Sequence, residues 1–492
     1  MRLTILSRAS DLARIQAFHV GRAIEAGIPG AQVTYVTRVA SGDRDTTTPL
    51  AALPTKGAFT ADLSGDLATG AADLVVHSWK DLPLDGRPDT TIAATLERAD
   101  PRDLLLVRRS VVDARPTTLR VLSSSPRRAW LLEPVLTALL PWPVSTIEFV
   151  PVRGNITTRL TRLGEGRGDA LVVAKAAIDR LLSSGAPFED AAGAVRAALA
   201  RARWLVLPAR EVPGAPAQGA LAVEIAASNH RLRDALARIS HEPTWRAVQR
   251  ERDVLAAHGG GCHEALGATV RPRAYGTVVS VRANTSSGGR AEEWSLAGAG
   301  APFPRAETAR IWPRPNERGG GSRRLLAVAQ PDDDRGLWVA RAEALPASWT
   351  VSRQRTVWAA GAATWRKLAE RGVWVNGSAE GLGDSEPPGV DALSGREVRW
   401  HRLTHQGVDD ANALATYAVT EALPDDLASR THFFWTSGTL LRRALAEYPA
   451  IRGGWHSSGP GRTWQALQAA LGGSDRLRVS LDYDSWLREV TT

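Results

Sequence analysis

ArgValLeuSer at 120–123, ThrIleGluPheVal at 146–150 and AlaLeuValValAla at 170–174 are the runs whose reading decides the fold. Each is an apolar or β-branched stretch of strand length. The first leads into a helix opening at Ser125, the second into one opening at Asn155, and the third into another. Strand–turn–helix repeats build parallel sheets covered by helices, and such sheets bind ligands at the carboxyl ends of their strands. Upstream the rhythm is the same. LeuThrIleLeu at 3–6 precedes Ser10, an N-cap for a helix from Asp11 to about Ala26. ValThrTyrValThr at 33–37 reads as a strand, a polar stretch runs to Lys56, a helix spans about 58–69, and LeuValValHis at 74–77 is the next strand.

Downstream the composition changes. Twelve of the seventeen tryptophans lie at or beyond Trp294. ProAsnGluArgGlyGlyGlySerArgArg at 315–324 reads as a turn-rich linker, and strand signals resume with TrpValAlaArg at 338–341 and PhePheTrpThrSer at 433–437. A separate α/β unit is expected from about 325 to the end.

A chain of 492 residues is long enough for three or four domains. No stretch of about 18 apolar residues exists, so no membrane-spanning segment is expected. MetArgLeuThrIleLeuSerArg at the start reads as a strand rather than a signal peptide. One cysteine permits no internal disulfide and fits a reducing cytoplasm. Net charge is +9, carried by 57 arginines and 4 lysines. No Lys/Arg block, zinc-ligand spacing or aromatic RNA-binding signature accompanies it, so nucleic acid is not the expected partner and no metal is. Arginine forks spread over many separate turns suit an acidic small molecule better.

Four turns after strands carry charge: Arg8 and Ser10; Lys80 and Asp81; Arg127 and Arg128; and Arg153, with Asn155 and Arg159 behind it. Helix N-termini there offer free N–H groups to an anion, although any single arginine also reads as an ordinary solvated side chain. Lys56 and Lys80 are two of the four lysines. Asp81 reads either as a carboxylate that stabilises a developing cation or as the cap of a short turn. Cys262 lies in GlyGlyGlyCysHisGluAlaLeuGly at 259–267. A lone cysteine is often an inert buried thiol, but three glycines point to a loop that can carry the sulfur into a cleft.

Several strings together resemble the hydroxymethylbilane synthase (porphobilinogen deaminase) family. They are LeuSerArgAlaSerAspLeuAlaArgIleGlnAla at 6–17, ThrLysGlyAlaPhe at 55–59, ValHisSerTrpLysAspLeuPro at 76–83 and AspProArgAsp at 100–103. SerSerSerProArgArg at 123–128, ArgGlyAsnIleThrThrArgLeu at 153–160, AlaGlnGlyAlaLeuAlaValGlu at 217–224 and GlyGlyCysHisGluAlaLeuGly at 260–267 complete the set. The resemblance covers roughly residues 1–315. It implies an enzyme that condenses four porphobilinogens head to tail with release of ammonia, and a dipyrromethane cofactor tied by a thioether to Cys262. It places the catalytic carboxylate on Asp81. It implies cofactor contacts from Lys80, Ser124, Ser125, Arg127 and Arg128, and substrate contacts from Arg8, Lys56, Ser78, Arg153, Arg159 and Arg180. Ser10 and Asn155, at the same turns, join the substrate set. Ala52 stands where a second basic residue is expected. The fold implied is α/β: two periplasmic-binding-protein-like lobes (1–98 with 219–238, and 102–213), then a small α/β domain over 242–315 that carries the cysteine. The rival reading is a two-lobed anion-binding protein, which has no use for the cysteine.

Residues 325–492 resemble uroporphyrinogen-III synthase less closely, through AlaAlaGlyAlaAlaThrTrpArgLysLeuAlaGluArgGly at 359–372, GlySerAlaGluGlyLeu at 377–382, PhePheTrpThrSerGly at 433–438 and SerGlyProGlyArgThrTrpGlnAlaLeu at 458–467. Ser437, Gly438 and Thr463 are the candidate donors to a carboxylate. This further α/β unit reads either as a second catalytic unit cyclising the linear product or as a non-catalytic one. In the second case a separate uroporphyrinogen-III synthase is the expected partner.

Overall fold

The computed structural model describes residues 1–39, 61–259, 265–284, 290–317, 321–384, 386–408, 410–420, 422–473 and 475–491. Lys56, Ala52 and Cys262 lie outside the described residues. The chain is α/β, with two hinged lobes, a small sheet and a C-terminal α/β region.

The first lobe is a five-stranded sheet in the order Gln32–Arg38, Arg2–Arg8, Leu74–Ser78, Leu221–Ala226, Thr90–Ala94. The second has the order Thr146–Val150, Thr118–Leu122, Ala170–Ala174, Asp103–Arg108, Ala202–Val206. In each lobe the strand next to a chain crossing runs antiparallel to its neighbours: Leu221–Ala226 pairs antiparallel with Leu74–Ser78, and Asp103–Arg108 with Ala170–Ala174. Two crossings therefore join the lobes, after Thr90–Ala94 and after Ala202–Val206.

The helices start where local chemistry dictates. Ser125 caps Pro126–Leu139 by accepting the Arg128 N–H, with proline at the first helical position. Asn155 caps Ile156–Gly164 by accepting the Thr158 N–H at 2.8 Å. Helix Asp11–Gly27 begins after Ser10, but the Ser10 side chain makes no capping bond. On Pro126–Leu139 the buried leucines Leu131, Leu132, Leu136 and Leu139 press onto the second sheet; burying each contributes roughly 1.5–3 kcal/mol.

The third unit is an antiparallel meander, Ala265–Arg273, Gly276–Asn284 and Arg290–Ala297, with helix Glu242–Ala257 against it. Alternation sets its register. Leu266, Ala268 and Val270 face Ala283, Val281 and Val279 across the first pair, and all six are buried with Ala247 of the helix.

The expected boundaries at 315 and 325 do not match the pairing. Strand Ile311–Trp312 leaves the meander and pairs in parallel with His432–Phe433, and Ala306 bridges Thr491. Phe303 and Ile311 pack with Phe434 and Trp486. The C-terminal region thus takes in residues from about Phe303 and carries two sheets. One is Ile311–Trp312, His432–Trp435, Trp455–Ser458 and Leu477–Val479, all parallel. The other is six-stranded, in the order Ser322–Leu325, Ala413–Thr420, Trp400–His405, Gly336–Val339, Val357–Ala359, Gly377–Ser378. The expected linker at 315–324 holds a 3-10 turn at Pro315–Glu317 and the start of strand Ser322–Leu325. A two-residue strand has no periodicity to read, which is why its membership was not visible in the sequence.

The C-terminal tryptophans are core. Trp358, Trp365, Trp435 and Trp486 are among the largest fully buried side chains. Several seal this region to the second lobe. Trp365 donates its indole N–H to Leu139 O at 3.0 Å, and Trp374 to Trp204 O at 3.2 Å. Val206 N–H donates to Asn376 O at 2.7 Å, so the edge strand Ala202–Val206 is covered by the chain leading into Gly377–Ser378. One apolar cluster contains Leu131, Trp142 and Leu205 of the lobe together with Leu337, Trp365 and Trp374. Trp365→Ala should lower unfolding free energy by about 3–5 kcal/mol in denaturant titration. A change below about 1 kcal/mol would show that the shared core contributes little.

Candidate active site

The carboxyl ends of the lobe strands bring the charged turns to the gap between lobes. Strand Leu74–Ser78 runs into the 3-10 turn Trp79–Asp81. Trp79 is buried against Trp245 and turns the chain, so Lys80 and Asp81 leave the sheet end, with Asp81 exposed. From the second lobe come Arg127 and Arg128 in the first turn of Pro126–Leu139, and Arg153 and Arg159 around the start of Ile156–Gly164.

These groups form one electrostatic unit. Burial drives the Lys80 ammonium down to about 8; Asp81 opposes this and Arg128 reinforces it. Burial likewise takes Arg159 down to about 10, reinforced by Arg128 and Arg153 and opposed by Asp81. Cations that discourage one another across a partly desolvated gap are ready for an anion. One Arg153 terminal nitrogen is buried with no hydrogen-bond partner among the described residues. Arg8 lies at the end of strand Arg2–Arg8, half-buried.

Other candidates are engaged by protein. Asp103 is fully buried and accepts from both Arg127 (2.8 Å) and Arg128 (2.7 Å). Burial would raise the Asp103 carboxyl, but the two guanidiniums outweigh it and hold it well below the usual range. Arg127 also donates to Pro213 O at 2.7 Å, and Arg128 to Val172 O at 3.3 Å. Both are thus fastened beneath the gap and act on it by charge. Arg180 is buried and donates to Gly219 O at 2.7 Å; burial lowers it to about 10, Asp179 opposing. It holds the second crossing. Ser124 both donates to Val152 O and accepts its N–H, pinning the loop before Arg153. Ser78 exchanges hydrogen bonds with Gln16.

Three residues to which the sequence reading gave no role organise the floor. Gln218 accepts from Lys80 at 3.2 Å and donates to Asp103 at 2.9 Å, so the Lys80 ammonium is tied to the arginine pair across the crossings. Asp103 was the visible one, a carboxylate opening the apolar run LeuLeuLeuVal at 104–107. Glu251, with no exposure, accepts Arg98 at 2.6 and 2.9 Å and the N–H groups of Ala217 and Val270 at 2.6 Å each. It joins both crossings to the third unit.

A cavity of about 710 Å³ lies elsewhere, behind the crossings, between Arg98–Arg102, the Val270–Ala274 strand end and Ser378–Gly389. Its cations are paired: Arg102 with Asp100, Lys175 with Asp179, Arg271 with Glu380 and Arg273 with Glu386.

In the C-terminal region, Ser437 caps helix Gly438–Glu447 and Thr463 sits in the first turn of Arg462–Leu471. The parallel neighbours His432–Trp435 and Trp455–Ser458 bring these turns side by side. A Cβ on Gly438 would meet the Ala466 Cβ at 2.8 Å, so glycine lets the two helices pack. Across from them, Arg462 pairs with Asp384 at 2.7 Å and Asp410 at 2.6 Å, and Arg402 pairs with Asp384. Asp384, Asp410 and Arg462 also had no assigned role.

Two hinged α/β lobes with a cationic gap and the exposed carboxylate of Asp81 beside it define a machine for acidic small molecules. A family model described as "Porphobilinogen deaminase, dipyromethane cofactor binding domain" matches residues 3–234. The porphobilinogen deaminase of Roseiflexus sp. (strain RS-1) is 37% identical over 267 residues, covering 54% of this chain and 80% of that one. That of Acidothermus cellulolyticus is 39% identical over 273 residues, covering 54% and 74%. Among solved structures, the Bordetella pertussis BvgS periplasmic VFT2 domain aligns with TM-score 0.26 and 12% identity, covering 52% of this chain and 92% of that one. The chain belongs to the porphobilinogen deaminase family. It is a transferase of tetrapyrrole biosynthesis, a hydroxymethylbilane synthase, and its cofactor is dipyrromethane. A polycarboxylate fits the residues present: the unpartnered Arg153 nitrogen, and Lys80 and Arg159, each depressed by burial and by Arg128, all gain from negative charge.

An ammonium holds a carboxylate only while it is charged. We expect kcat/KM to fall on an alkaline limb near pH 8 and the limb to move upward in Lys80→Arg, measured as a pH–rate profile. A profile flat through pH 9 would remove Lys80 from the contact set.

Proposed function

We propose that the residues above divide the work of deamination and condensation as follows. Cys262 carries dipyrromethane as a thioether, and Lys80, Ser124, Ser125, Arg127 and Arg128 surround it. When bound, the cofactor supplies a tethered pyrrole whose free α-carbon begins the polymer. Arg8, Ser10, Lys56, Ser78, Arg153, Asn155, Arg159 and Arg180 serve the incoming porphobilinogen. Its aminomethyl C–N bond breaks, ammonia leaves, and the pyrrole is left cationic. Asp81 holds its carboxylate near the ring nitrogen and stabilises that charge, which the surrounding arginines would otherwise discourage. The observation that carries this reading is the electrostatic unit of Lys80, Asp81, Arg128, Arg153 and Arg159. Intact mass tests the anchor: an increment of two linked pyrroles, absent in Cys262→Ser, is the expected result, and the same increment retained in Cys262→Ser overturns it. Lobes at 1–98 with 219–238 and at 102–213 go with this reading, as does a cytoplasmic location. No helix among the described residues is long and apolar enough to cross a membrane.

For the C-terminal region the proposed activity is cyclisation of hydroxymethylbilane to uroporphyrinogen III with inversion of the last ring, Ser437, Gly438 and Thr463 being the donors. Side-by-side Ser/Gly/Thr turns at parallel strand ends support it. One observation favours the non-catalytic alternative, with a separate synthase as partner. Gly383 and Gly461 touch so closely that a Cβ on either would lie under 3 Å from the other's Cα, and Arg462 bridges Asp384 and Asp410 above that contact. Incubating the purified chain with porphobilinogen decides between them: mainly isomer III means cyclisation, mainly isomer I means none.

A further inference from the structure

A second cavity, of about 460 Å³, lies at the seam between the second lobe and the C-terminal region. Its lining includes Arg109, Arg196, Arg203 and Arg396 and no carboxylate. This is unlike the cavity behind the crossings, where Arg102, Lys175, Arg271 and Arg273 each have an acidic partner. Here Arg396 pairs with Asp334, whereas Arg109, Arg196 and Arg203 have no carboxylate within ion-pair distance among the described residues. Ser394 adds a buried hydroxyl oxygen with no partner.

The carbonyl end of helix Glu189–Ala200 also reaches this cavity through Leu199 and Ala200. A helix end carries roughly half a negative charge, too little to balance three unpaired guanidiniums. The imbalance is felt within the cluster. Burial and the neighbouring Arg109 and Arg353 lower Arg203 to about 10, and Asp113 opposes them only in part. The cavity behind the crossings pairs its cations with carboxylates; this concave surface leaves three facing it.

We propose that this cavity is a binding site for a small multivalent anion, one carrying two or more carboxylate or phosphate groups. Guanidinium forks recognise both groups bidentately, and the volume suits a metabolite-sized molecule. Because the lining comes from both sides of the seam, an occupant fastens the second lobe to the C-terminal region.

The test is calorimetric titration of the full chain at low ionic strength with citrate, and separately with pyrophosphate. Arg153→Leu serves as the background, to weaken competition from the inter-lobe gap. The expected result is one saturable site for at least one probe, with the preferred probe telling carboxylate from phosphate. Binding should weaken at least tenfold in Arg109→Gln/Arg203→Gln and survive in Arg203→Lys, and raising the salt to 0.5 M should weaken it too. Melting curves matched to the parent guard against misfolding, and deaminase turnover of Arg109→Gln/Arg203→Gln, measured with Arg153 in place, should stay within twofold of the unsubstituted chain. No saturable binding of either probe overturns the proposal. So does binding that the Gln/Gln pair leaves unchanged.

Discussion

Asp81→Ala should lower turnover by about 10²–10³-fold while leaving porphobilinogen affinity within a few-fold, because a carboxylate that meets a cation formed during reaction acts on the transition state. Asp81 suits that role by position. It is exposed at the end of the 3-10 turn Trp79–Asp81, where Trp79 is packed too firmly for the turn to drift. It is also the carboxylate that opposes the depression of both Lys80 and Arg159. Removing it leaves only cations acting on Arg159, against a substrate that must itself become cationic. Asp81→Asn should be almost as slow, since the amide keeps shape but not charge. Steady-state kinetics with direct binding at equilibrium separate the terms. A variant with weakened affinity and normal maximal rate would make Asp81 a substrate-binding group only.

The second large effect concerns stability. Glu251→Ala should destabilise the protein by about 3–5 kcal/mol, the cost of leaving a buried charge without its partner. Glu251 has no exposure and takes four hydrogen bonds: two from Arg98 and one each from the N–H groups of Ala217 and Val270. Ala217 has φ 66°, a left-handed conformation that a non-glycine residue adopts at a cost of roughly 1–2 kcal/mol. The carboxylate holds that residue in place. Glu251→Gln should recover part of the loss, because an amide oxygen still accepts from one side. Denaturant unfolding measures both; a loss under 1 kcal/mol for the alanine variant would mean the crossings are held by other contacts.

Much of this was legible. Strands Thr146–Val150 and Ala170–Ala174 lie where the apolar runs placed them, and Ser125 and Asn155 cap the helices that follow. Local patterning sufficed because those elements are long enough to show a period. The charged turns were also visible, since Lys80, Asp81, Arg153 and Arg159 follow strands. Pairing was not. Glu251 and Arg98 are 153 positions apart, and nothing local to either marks the other. Arg127 and Arg128 looked like free clamps; their bond to Asp103 depends on a strand that runs antiparallel in the sheet. In the C-terminal region, short strands such as Ile311–Trp312 and Gly377–Ser378 gave too few residues for a boundary.

The hydrogen bond from Val206 to Asn376 has a consequence for how such a gene can change. Ending the chain near residue 300 would uncover the border of a β-sheet and the indole of Trp142 together, a surface that invites self-association. Shortening the chain there would therefore cost solubility as well as stability.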